Sequence, residues 1–141
     1  MTKSSKLIID GKRIFKAANV KNPHQVFLDL AKSLSQIEIL HFIKIYDGRL
    51  CASNLLSTDK KKRPVTTMNQ ECVIGVELVI DPDSSTVQFY SLASSQQGYG
   101  RKIVDAVVRG TPDDWNLVVV MDWSGGFWDR MIDEYPRIVV F

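Results

Sequence analysis

A chain of 141 residues fits one ordinary domain and is long enough to bury a core without disulfide or metal staples, so a single domain over residues 1–141 is expected. Hydrophobic residues make up 45% and charged residues 24%, a normal balance for a water-soluble chain, and a net charge of +2 is too small to argue by itself for nucleic acid or a membrane. Cys51 and Cys72 lack metal-ligand spacing and His24 and His41 stand far apart, so no metal site is expected; reduced thiols in a cytoplasmic setting are. The opening MTKSSKLIIDGKRIF lacks the apolar core of a signal peptide, and no apolar run approaches the roughly 18 residues of a membrane span.

In chain order, KLIIDGKRIFK reads as two short strands around Asp10 and Gly11, a dipeptide that tolerates the positive φ of a tight hairpin turn. Asn22 offers a side-chain cap and Pro23 a preset first helical residue, and Val26, Phe27, Leu30, Ala31 and Leu34 then recur on one helical face. From Leu40 the pattern turns β-rich, with Asp47 and Gly48 marking a second hairpin. The polar stretch STDKKKRPVTTMNQ reads as an exposed loop. Its cations Lys60, Lys61, Lys62 and Arg63 suit either solvent or the phosphates of a nucleic acid or an acidic partner.

ECVIGVELVI and STVQFYSLA read as strands joined by the turn DPDS. Ile103, Val104, Val107 and Val108 then stripe a helix that Gly110 is placed to end. NLVVVMD follows as a strand apolar on both faces, GGFWDRMIDEY as a short helix stopped by Pro136, and RIVVF as a last strand. A hairpin leading into strand-helix-strand crossovers implies an α+β fold: a mixed, mostly antiparallel sheet flanked by helices.

SSQQGYGRKIVDAVV is the stretch richest in chemistry. A strand entering a helix through glycines leaves the first helical N–H groups aimed at one point, where the helix dipole adds roughly half a positive charge and an anion fits. Arg101 and Lys102 are unfavourable for that dipole unless an anion sits there; the plainer alternative is a tight turn with cations in water. The P-loop pattern is absent, and Ile103 stands where a dinucleotide fingerprint needs its third glycine. Position decides further: those folds place the loop after their first strand, whereas only 41 residues follow Gly100. No nucleophile elbow and no paired carboxylates argue for a hydrolase or glycosidase.

The stretch TVQFYSLASSQQGYGRKIVDAVV resembles the core motif of the GNAT superfamily of N-acetyltransferases, in which Gln/Arg-x-x-Gly-x-Gly/Ala joins the fourth strand to the third helix. NLVVVMDWSGGFWDRM looks like that family's fifth strand and fourth helix. The resemblance covers residues 71–141 and implies an acyl-CoA N-acyltransferase fold, acetyl-CoA as co-substrate and transfer to an amine of a protein or small molecule. It implies Gln96, Gln97, Gly98, Tyr99, Gly100, Arg101 and Lys102 around the pyrophosphate, and the strand backbone at Leu92 and Ala93 along the acetyl-pantetheine arm. Three departures stand out: Ser95 where the family has Gln or Arg, Trp128 near the place of the fourth-helix tyrosine, and no carboxylate at 86–93. Tyr135 is then the nearest phenol for the general acid, and Glu77 the best carboxylate for a base, although an alternating strand also makes it a solvent-facing residue. Those departures keep open a second expectation, an inactive binding module of the same fold acting on a protein or nucleic acid. Trp123, Phe127 and Trp128 suit core or pocket, and the last strand suits pairing across a homodimer.

Overall fold

The structure is a computed structural model that describes residues 5–9, 12–58, 63–66, 72–94, 98–119 and 126–140. Strands β1 (Ser5–Ile9) and β2 (Lys12–Lys16) pair antiparallel with Ile9 opposite Lys12, as the hairpin reading expects; Asp10 and Gly11 lie outside the described residues. Helix α1 (Gln25–Ser35) leads to β3 (Phe42–Tyr46), which turns at Gly48, φ +75°, into β4 (Arg49–Ser53). Strands β5 (Ile74–Asp81) and β6 (Thr86–Ser94) form the next hairpin, whose turn is held by the Asp81 carboxylate accepting from the Asp83 N–H at 3.1 Å. Helix α2 (Tyr99–Gly110), β7 (Asn116–Val119), α3 (Phe127–Glu134) and β8 (Ile138–Val140) complete the chain.

Among the described residues, eight strands join one sheet in chain order. The β2–β3, β6–β7 and β7–β8 pairings are parallel and the other four antiparallel, which gives the mixed, mostly antiparallel α+β sheet expected. Paired residues share a face. Ile45, Leu50, Leu78 and Phe89 therefore point to one side with Val119, and there they meet Leu30 and Leu34 of α1, Ile103 and Val107 of α2 and Met131 of α3 in one continuous core. The helices thus lie against one face of the sheet, and the Ser33 hydroxyl donates to the Ala106 carbonyl at 2.5 Å between α1 and α2. Among the described elements no helix covers the opposite face, which carries Tyr46, Arg49, Cys51 and Glu77.

One helix cap differs from the sequence reading, and one helix ends where the sequence reading ends it but for another reason. The cap of α1 is His24 rather than Asn22: its Nδ1 accepts from the Val26 N–H at 3.1 Å, an imidazole standing in for the usual short polar side chain. Gly110 ends α2 without a positive φ, and its reason is space, since a Cβ there would lie 3.0 Å from Ser33 Cβ and 3.1 Å from Leu30 Cδ2. Carbonyls on both sides of it are gathered by Arg137, whose guanidinium donates to Val108 at 3.2 Å, Thr111 at 3.3 Å, Pro112 at 2.5 Å and Trp115 at 3.2 Å. Charged-group hydrogen bonds to half-buried carbonyls dominate that joint, so Arg137→Ala is expected to cost about 2 kcal/mol in a urea unfolding titration. A loss under about 0.5 kcal/mol would remove this cap from the account.

The basic loop is not wholly exposed. The Val65 N–H donates to Leu55 at 2.9 Å, the Ser57 N–H to Arg63 at 2.7 Å, and Pro64 and Thr66 are buried, so residues 63–66 fold back over the helix-free face as a strap. Lys60, Lys61 and Lys62 lie outside the described residues.

Candidate functional site

The junction of β6 and α2 follows from three local features. First, Glu77 pairs with Ser91 and Leu78 with Phe89, so Tyr90 is an extra residue, a bulge that bends β6. Second, β7 pairs with β6 only as far as Phe89 opposite Val119, and among the described residues no strand takes the outer edge of 90–94. Third, Gly98 caps α2 with φ +95°, a conformation that side chains rarely adopt, and among the described residues no side chain caps the helix. The first intrahelical bond is made by the Lys102 N–H to the Gly98 carbonyl at 3.2 Å, which leaves the N–H groups of Tyr99, Gly100 and Arg101 ahead of it. Gly100 lets α3 close in, since a Cβ would meet the Phe127 ring at 3.1 Å.

A cavity of about 760 Å³ opens here, and Gly98, Tyr99, Arg101, Lys102, Asp105 and Tyr135 are in its wall. The cations at the helix start have protein partners: Arg101 forms an ion pair with Glu134 of α3, and the Lys102 ammonium sits 4.9 Å from the centre of the Tyr99 ring. The Tyr135 hydroxyl donates to Asp105 Oδ1 at 2.8 Å. Burial, then that bond to a carboxylate, hold the phenol above its usual range.

Glu77 lies elsewhere, on the helix-free face, in a second cavity of about 490 Å³ walled by residues of β3, β4 and β5 and by the 63–66 strap. Its side chain is 17% exposed, forms an ion pair with Arg49 and accepts from Thr66 Oγ1 at 3.3 Å. The Arg49 guanidinium lies 4.8 Å from the centre of the Tyr90 ring. The Ser91 hydroxyl donates to the Thr66 carbonyl at 2.6 Å, which ties the strap to β6 one residue past the bulge. The Cys51 thiol in this wall is pushed up to about 12, by burial first and then by the Glu77 charge. The folded chain therefore keeps a proton that the unfolded chain loses near pH 9, so this contribution to stability is full below about pH 9 and is lost from there to about pH 12. Alkylation at pH 8 is expected to modify the exposed Cys72 and spare Cys51 until denaturant is added; equal labelling of both native thiols would contradict the buried placement.

The fold thus gathers Gly98, Tyr99, Arg101, Lys102 and Tyr135 around one cavity, with Gly100 buried behind the Phe127 ring beside it. It sets Glu77 on the other side of the sheet from Tyr135. Leu92 and Ala93 lie on β6 beyond its last described pair with β7, whereas Ser95, Gln96, Gln97 and Trp123 lie outside the described residues. Trp128 is a core residue, its ring 4.9 Å from that of Phe89, and Phe127 packs edge-on against it. Sequence reading missed Arg49 and Thr66 as partners of Glu77 and Asp105 as the partner of Tyr135. The signal for Asp105 was present, since it shares the helix with Arg109 four residues on, and their ion pair of 2.7 Å marks a charged face of α2. Among the described residues no group of three or more histidine, cysteine or carboxylate side chains is placed to hold a metal ion, and no helix is long and apolar enough to cross a membrane. Searches of protein families, of curated proteins and of solved structures find nothing that matches this chain.

Proposed function

We propose that the protein is an acetyl-CoA-dependent N-acetyltransferase of GNAT type. The observation that carries this reading is the β6–α2 junction, where a helix start opened by a glycine at φ +95°, with no side-chain cap among the described residues, adjoins a stretch of β6 beyond Phe89 that no described strand pairs on its outer edge. Such a helix start suits a pyrophosphate, and an open strand edge suits the amide groups of a pantetheine arm, which pairs with backbone as a strand would. The arm then passes between β6 and β7 toward the helix-free face, where Glu77 stands opposite Ser91.

In the transfer, the neutral amine attacks the thioester carbonyl, an N–C bond forms and the C–S bond breaks, with its electron pair leaving on sulfur. The amine proton passes to Glu77 directly or through water, and the thiolate takes a proton from solvent. Proton removal of this kind contributes roughly 10²- to 10⁴-fold. Isothermal titration with acetyl-CoA is expected to give saturable binding, and a thiol-release assay with pooled amines is expected to give turnover; no binding at millimolar acetyl-CoA would sink the proposal.

A second reading, binding without transfer, is favoured by the Tyr135 hydroxyl, which is already engaged by Asp105 on the face away from Glu77. Acetyl-CoA binding without thiol release, together with one stoichiometric protein or nucleic-acid partner, would select it.

A further inference from the structure

We propose that the Glu77 cavity receives an amine that also carries a carboxylate a few atoms away, so that the acceptor is an amino acid. This inference rests on the acyl-transfer reading and adds which amine is taken. Among the described residues of the wall, two carry guanidinium groups, Arg49 and Arg63, and one a carboxylate, Glu77. The positive charges of Arg49, Arg63 and Lys44 all bear on the Cys51 thiol in the same wall, so their fields meet inside this cavity. A ligand that complements such a site brings a negative group for the guanidiniums and an ammonium or amine for Glu77.

The details fit both ends of that ligand. Glu77 spends one oxygen on Thr66 and the other on Arg49, and a carboxylate has about four lone-pair sites, so it retains room for an N–H donor. Arg49 brings five donors in a planar fork, with Nη1 donating to Glu77 and the guanidinium over the Tyr90 ring, and its other donors suit bidentate capture of a carboxylate. A phosphate dianion fits less well, because Glu77 would repel it in the same small space. Glu77 is paired with Ser91 across one strand spacing, about 5 Å between backbones, so an amine at Glu77 is on the same face as Ser91, where the proposed transfer brings the thioester.

The test titrates each of the twenty L-amino acids, its carboxamide, and phosphoethanolamine into the protein by calorimetry, with and without saturating CoA. At least one acid is expected to bind tenfold or more tightly than its own amide and more tightly than phosphoethanolamine. Arg63→Ala is expected to bring that acid-to-amide ratio toward one, and Arg63→Lys, which keeps the charge and loses the fork, to retain part of it; melting curves of both variants check that they fold. Equal binding of acid and amide for every side chain, a preference for phosphoethanolamine, or a ratio unmoved by Arg63→Ala would overturn the proposal. The CoA-free titration separates the two failures: loss of acetyl-CoA binding alone removes the transfer reading and leaves the acid preference readable.

Discussion

Gly75→Ala is expected to destabilise the protein by about 3 kcal/mol and to lower its melting temperature by about 10 °C. A Cβ built at Gly75 lies 2.6 Å from the Val65 carbonyl oxygen, 2.9 Å from the Ala52 carbonyl oxygen and 3.1 Å from Ser53 Cβ. Two of these three are backbone atoms on different segments, β4 on one side and the 63–66 strap above, so no side-chain rotation relieves the contact. Either the strand pair opens, which breaks ladder bonds around Ser53 opposite Gly75, or the strap lifts. Lifting the strap moves Val65 and Thr66, which wall the Glu77 cavity, so the variant is also expected to lose acceptor binding more than acetyl-CoA binding. Urea unfolding followed by tryptophan fluorescence reads the first effect and calorimetry the second. A variant with wild-type stability would mean that the strap does not rest on β5.

Much of the fold was legible because its signals are local. Asp47 and Gly48 set the β3–β4 register, the DPDS turn sets the β5–β6 hairpin, and the 3.6-residue apolar stripes mark the faces that α1 and α2 bury. The junction at Gly98 was legible for the same reason, since a glycine at a helix start is a statement about one residue's φ. The Glu77 cavity was not. Its parts come together only through the pairing of β4 with β5, whose strands are separated in sequence by the whole basic loop, and sequence patterns carry no register across such a distance. The residue opposite Glu77 on β4 is Cys51, and Arg49 precedes it by two positions on the same face, so the ion pair is a consequence of register alone. The Tyr90 bulge was hidden too, because one extra residue leaves the alternation of a strand almost unchanged while it turns every later side chain by one place. That single residue brings Ser91, rather than Tyr90, opposite Glu77.

Gly98→Asp is expected to weaken acetyl-CoA binding about a hundredfold, roughly 2.7 kcal/mol, and Gly98→Asn by far less. Among the described residues, chain neighbours aside, no atom lies within 4 Å of a Cβ at Gly98, so neither side chain meets a steric barrier from them, and both strain the same φ of +95°. Asparagine and aspartate both tolerate left-handed backbone better than other residues, and both can cap the helix by accepting from its first N–H groups. What separates them is charge. The aspartate carboxylate would sit where the N–H groups of Tyr99, Gly100 and Arg101 and the positive end of the α2 dipole attract an anion, so it would occupy those donors and repel a pyrophosphate. The stability of the two variants moves in the opposite sense, because the same carboxylate favours the helix start by up to about 1 kcal/mol when no ligand is bound. An aspartate variant that is at least as stable as the asparagine variant yet binds acetyl-CoA far more weakly would place the pyrophosphate at this turn. Equal affinities in the two variants would place it elsewhere, and with it the acyl group that the reading brings to Glu77.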